Sequence, residues 1–150
     1  MLDAAWHLRG SVPLAAVGSD AVALDRVEQL LDRQFKIVTE RGSDSLLFDD
    51  PLWRNPFGGN WLAMAIYDRG RFWIERAPQG RRLRYDLRSL HVMVFCLIAA
   101  AAAFAFVCAG GEVFLAIRIA AGAFAWLYGM NILTAVLRAP PTIRDAVMGS

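Results

Sequence analysis

The sequence predicts an α+β membrane protein: a small antiparallel sheet of about five or six strands with one packed helix, followed by a two-helix transmembrane hairpin. Three observations predict it. Residues 1–90 are densely charged yet nearly balanced, with 13 Lys+Arg and 12 Asp+Glu. Within them the hydrophobic period is helical at first and then two residues. From His91 to Leu137 the only charged side chains are Glu112 and Arg118. Over all 150 residues the chain is 57% hydrophobic with mean hydropathy +0.37, more than an ordinary soluble domain carries. The expected division is a cytoplasmic α+β domain at 1–88, a transmembrane hairpin at 89–138 with spans near 91–109 and 113–137, and a short cytoplasmic tail at 139–150.

Element by element, Trp6 and Leu8 alternate with His7 and Arg9, which predicts a first strand. Ser19 or Asp20 caps a helix whose apolar face is Ala23, Leu24, Val27, Leu30 and Leu31. The period then drops to two. "FKIVTER" and "SLLFDD" read as a hairpin across Gly42-Ser43-Asp44, and "WLAMAIY" and "RFWIER" as another across Asp68-Arg69-Gly70. In "RRLRYDLRS", Leu83, Tyr85 and Leu87 share one face while Arg82, Arg84, Asp86 and Arg88 share the other.

"HVMVFCLIAAAAAFAFVCA" and "IAAGAFAWLYGMNILTAVL" are each long enough to cross a hydrocarbon core of about 30 Å, which takes about 20 helical residues. Between them Gly110-Gly111 break the helix and Glu112 follows at once, so a turn is expected there. Arg76, Arg81, Arg82, Arg84 and Arg88 precede the first span, Arg138 and Arg144 follow the second, and Arg118 alone lies near the turn. That asymmetry predicts both termini in the cytoplasm and the turn outside, in a bacterial inner membrane. Cys96 and Cys108 are twelve helical residues apart, about 18 Å, too far to bridge.

The N-terminus, with an early Asp and no apolar stretch of signal length, reads as no secretory signal. Fifteen of the sixteen cationic residues are Arg, a bias that GC-rich codon usage explains together with the alanines. The near-neutral charge of the domain argues against a nucleic-acid partner. No GxSxG, P-loop, GxGxxG or HExxH motif is present, so neither a catalytic set, a cofactor nor a metal is expected. Asp49-Asp50 reads as a turn, because adjacent residues at a strand end point to opposite faces.

Four groups of candidate contacts remain. Trp53, Phe57, Trp61 and Trp73 are candidates for a ligand wall or interface, three of them in the Pro/Gly-rich loop "DDPLWRNPFGGNW". Arg81, Arg82, Arg84, Arg88 and Arg118 are candidates for lipid-headgroup contact. Ala121, Ala125 and Gly129, with Ala101, Ala105 and Ala109 on the first span, form small-residue stripes for helix packing within the hairpin or against a partner. Asn131 is a candidate interhelical hydrogen bond. Together these point to a non-enzymatic adaptor or accessory domain on a two-helix anchor. Its expected partners are the lipid bilayer and a membrane protein or second copy. The alternative is a domain that binds a lipid or apolar small molecule at the membrane surface.

Overall fold

The computed structural model describes residues 6–14, 18–50, 63–78 and 80–149. Its elements run β1 (His7–Pro13), α1 (Asp20–Arg33), β2 (Val38–Arg41), β3 (Ser45–Asp49), β4 (Arg69–Ala77), β5 (Gly80–Arg88), α2 (Leu90–Cys108) and α3 (Val113–Met148). The strands form one antiparallel sheet in the order β1-β5-β4-β3-β2. β1 therefore returns to pair with the last strand, and α1 crosses the sheet between its two edges. The α+β class and the five-strand count agree with the sequence.

Local chemistry explains most boundaries. The Ser19 side chain accepts the Val22 N–H and caps α1, and Ala23, Leu24, Val27, Leu30 and Leu31 are all buried on its inner face. Leu83, Tyr85 and Leu87 point inward from β5, with Phe72 and Ile74 from β4 and Leu46 and Phe48 from β3. Each such side chain contributes about 1.5–3 kcal/mol on burial. Gly70 lies directly beneath this cluster. A Cβ there would sit 2.2 Å from the Phe48 ring and 2.7 Å from a Leu87 methyl, so only glycine lets the strand approach.

The second expected hairpin is absent. Residues 63–66 form a turn rather than a strand, and Arg69 and Gly70 already belong to β4. The reason is that side chains take the backbone polar groups a ladder would need. Gln34 Oε1 accepts the Met64 N–H at 3.1 Å, and the Lys36 ammonium faces the Ala65 and Tyr67 carbonyls. Met64 and Tyr67, three apart, are both buried, as a turn permits and a strand does not.

α2 and α3 pack side by side as an antiparallel pair. The expected turn between them is present: Gly110 and Gly111 bond back to Val107 and Cys108, and Gly111 sits at φ +86, the left-handed region that favours glycine. Both helices are long and apolar enough to cross a membrane.

Where the sequence suggests a tail from 139, α3 continues through Pro140 and Pro141 to Met148. Two prolines remove two helical donors and crowd the preceding turn. Burial offsets this. Ala135, Ala139, Ile143 and Val147, one helical turn apart, join the core with α1 and the sheet. Arg26 of α1 donates to the Val147 carbonyl at 2.6 Å, a cation at the negative end of the α3 dipole. The apolar run expected to span as far as Leu137 is thus divided. Its first part lies along α2, and from Ala135 it is domain core.

Because Ile143 is fully buried, Ile143→Ala should lower stability by about 2–5 kcal/mol. Thermal unfolding followed by circular dichroism in mild detergent checks this. A change within about 0.5 kcal/mol is what a free tail would give.

Candidate functional site

α1 and the end of α3 lie on one face of the sheet, and among the described residues no element covers the other, which is called the open face below. Register places its side chains in rows across the strands. The first row is His7, Arg88, Arg69 and Asp49; the second is Arg9, Asp86, Arg71 and Leu47; the third is Ser11, Arg84, Trp73 and Ser45. Arg82 and Glu75 follow. Among the described residues, six arginines therefore share this face with four carboxylates, the fourth being Glu40 of β2, opposite Leu47.

Most of those charges are committed. Arg69 Nη2 meets Asp49 at 2.5 Å, and Arg84 Nε meets Glu75 at 2.6 Å. His7 Nδ1 and Arg9 Nε donate to the two oxygens of Asp86 at 2.5 and 2.8 Å. Burial on its own pushes the Asp86 carboxyl up, but these two hydrogen bonds outweigh it and hold the group below its ordinary value. Arg71 has no carboxylate partner among the described residues. Its guanidinium lies 5.9 Å from the centre of the Trp73 ring instead. Around it His7, Leu47, Arg69, Trp73, Asp86 and Arg88 line an open basin of about 440 Å³.

The basin adjoins the point where the sheet becomes α2. There Asp68 is almost wholly buried and accepts Arg88 Nε at 2.9 Å and Nη2 at 2.5 Å. Its other oxygen faces the His91 N–H at 3.4 Å, in the first turn of α2, whose own preceding residue Ser89 gives no side-chain cap. A carboxylate from the sheet thus sits at the positive end of the helix dipole. Ser89 bonds the Trp6 carbonyl through its N–H at 2.8 Å and its hydroxyl at 3.3 Å, and it is also hydrogen-bonded to Tyr128 of α3. The hairpin is bolted to the sheet through one buried polar knot.

A second knot closes the loop after β3. Lys36, 4% exposed, directs its ammonium at Asp50 Oδ2 (2.6 Å), the Tyr67 carbonyl (2.9 Å) and the Ala65 carbonyl (3.5 Å). Three acceptors around one point suit an ammonium and not a planar guanidinium. Lys36 is the chain's single lysine. Sequence reasoning passed over it, although one lysine among fifteen arginines was the available signal. Asp49 and Asp50 do diverge, the first to Arg69 and the second to Lys36.

The other candidate residues fall as follows. Trp53, Phe57 and Trp61 lie outside the described residues, and Trp73 stands on the open face. Arg81 binds Asp20 at 2.6 Å, where Arg76 also reaches 2.5 Å, and these arginines hold the Asp20 carboxyl below its ordinary value. Arg82 is exposed, eight residues before α2, which is about 26 Å along a strand. Of the four arginines in β5, Arg88 is nearest the hairpin. Arg118 is exposed in the second turn of α3. Ala121, Ala125 and Gly129 are exposed, as are Ala101, Ala105 and Ala109. The contact between α2 and α3 is lined instead by less exposed positions such as Cys96, Ala100, Ala116 and Ala120. Asn131 bonds the Leu127 carbonyl of its own helix at 2.7 Å rather than reaching across. The stripes therefore lie off the contact within the hairpin, on outward faces that only a partner helix would meet.

Replacing Lys36 by Met should remove one partner of a largely buried pair, which costs about 3–5 kcal/mol. The lower end is expected, because the Asp50 side chain retains 23% exposure. Lys36→Arg should rescue little of it. Chemical denaturation of the three proteins in detergent measures this, and full recovery by Arg would contradict the three-acceptor geometry.

Comparison with known proteins finds no matching family model, curated protein or solved structure, so the chemistry of the open face and of the bare hairpin is the guide to role.

Proposed function

We propose that this chain is a non-enzymatic adaptor or accessory subunit of a bacterial inner-membrane complex, with a cytoplasmic binding domain carried on a two-helix membrane anchor. The observation that carries the reading is the surface of the hairpin. Phe106 and Phe114 are 85% and 86% exposed, and Phe95, Ile98, Trp126 and Leu133 are also exposed. An apolar surface of this extent is unfavourable in water and favourable in a hydrocarbon core. The length fits as well: the 19 residues of α2 rise about 28 Å, close to the core thickness.

Orientation follows from charge. Arg81, Arg82, Arg84 and Arg88 belong to the sheet and Arg138 and Arg144 to the domain end of α3, while Arg118 alone is near the turn. Placing the domain on the cytoplasmic side satisfies the bias toward internal positive charge. Binding rather than catalysis is supported by the commitment of three of the carboxylates on the open face. Asp49, Asp86 and Glu75 each pair with arginine, and Asp86, the carboxylate that lines the basin, is held by His7 and Arg9, so the basin is basic rather than the seat of a free base.

The test has two parts. Full-length chain reconstituted with phosphatidylcholine vesicles should float with them and resist alkaline extraction. In a Cys96→Ala, Cys108→Ala background, Glu112→Cys should react with a membrane-impermeant maleimide in spheroplasts, and Arg82→Cys should react only after permeabilisation. Labelling at 82 but not at 112 would reverse the orientation, and a chain extracted by alkali would remove the anchor.

A further inference from the structure

We propose that the basin on the open face binds the phosphate headgroup of an anionic phospholipid in the leaflet that faces the domain, an inference that rests on the membrane reading above. Position is the first argument. Arg88 precedes α2 by two residues, so it lies within about 7 Å of the helix start. His7 and Arg69 are its direct neighbours across the strands, about 5 Å to either side. A headgroup layer is about 5–7 Å deep on each side of the hydrocarbon core. The first row of the basin is therefore level with headgroups. Arg71 stands one row, about 7 Å, further along the strands.

Charge is the second argument. Asp86 faces the basin but is held by His7 and Arg9, Arg69 is paired with Asp49, and Arg88 with Asp68. Arg71 is left with its charge uncompensated by any described carboxylate. Seated over Trp73, its guanidinium keeps its N–H fork for an incoming oxyanion, the geometry that suits phosphate. Trp73 and Leu47 add an apolar floor. A tryptophan at headgroup depth is in its favoured environment. The knot at Asp68 fixes the basin relative to α2, so a lipid held there would be gripped at a set depth rather than gathered by a loose basic tail.

The experiment uses the full chain in nanodiscs of phosphatidylcholine and phosphatidylglycerol in equal amounts, released into mild detergent for native mass spectrometry of retained lipid. Arg71→Ser removes the proposed phosphate contact. Arg71→Gln keeps the stem over Trp73 and removes only the charge. Arg82→Ser removes the same charge from the far end of the same face. Wild type should retain phosphatidylglycerol over phosphatidylcholine. Both Arg71 variants should lose about fivefold of that preference, equivalent to about 1 kcal/mol per basic residue at the surface. Arg82→Ser should stay within about twofold of wild type. Equal retention of the two lipids, or equal losses at 71 and 82, would overturn the basin while leaving the anchor intact. Failure of wild type to float with phosphatidylcholine vesicles would instead remove the anchor, and the basin with it.

Discussion

One helix belongs to two environments, and the rest of the molecule is arranged around that constraint. α3 begins beside α2 with a bare apolar surface and ends inside the domain, where Ala135, Ala139, Ile143 and Val147 complete the core. Its inner positions toward the domain are small near the junction and larger beyond it, so the helix approaches the sheet closely and then fills the space beside α1. A sheet of five strands with a single 14-residue helix would leave part of its apolar face in water. The end of α3 supplies that cover. The domain thus depends on α3 of the hairpin for its fold.

The polar groups at the junction make the same point from the other side. A buried carboxylate such as Asp68 is tolerable only when paired and hydrogen-bonded. Arg88, at the last position of β5, and the His91 N–H, at the start of α2, satisfy it together. Neither element alone would provide both. With Ser89 bonded to Trp6 and Tyr128, the passage from strand to helix takes one residue and has no slack. The open face, its basin and Arg71 are thereby held at a fixed place relative to the hairpin, which is why position and charge can act together there.

Much of this was legible in the sequence, and the rest was hidden for identifiable reasons. Repetition gave α1, the β2–β3 hairpin and β5, because periods of 3.6 and 2 persist over whole elements. Gly110-Gly111 marked the turn between the helices. "WLAMAIY" misled because its alternation resembles a strand, while its backbone partners, Gln34 and Lys36, lie thirty residues earlier in the chain. The continuation of α3 was concealed by Pro140-Pro141, which normally stop a helix and here persist through tertiary burial. The small-residue stripes did not mark the contact within the hairpin, and Asn131 bonds within its own helix, because spacing does not reveal which side of a helix meets its neighbour. Of the basin, Trp73 and the arginines of β5 could be seen. That His7, Arg69 and Arg71 join them follows only from strand order, which pairs β1 with β5 across most of the domain sequence.

The rigidity of that junction is open to direct measurement. Spin labels at Ser11→Cys, on the open face of β1, and Glu112→Cys, at the hairpin turn, in a background lacking Cys96 and Cys108, report one distance across the whole molecule by pulsed electron resonance. A helix shared between hairpin and domain predicts a single narrow distance distribution in lipid nanodiscs, broadened when Asp68 is replaced by Ala. A broad distribution in the unaltered chain would mean that the domain swings on a tether, and would contradict the account.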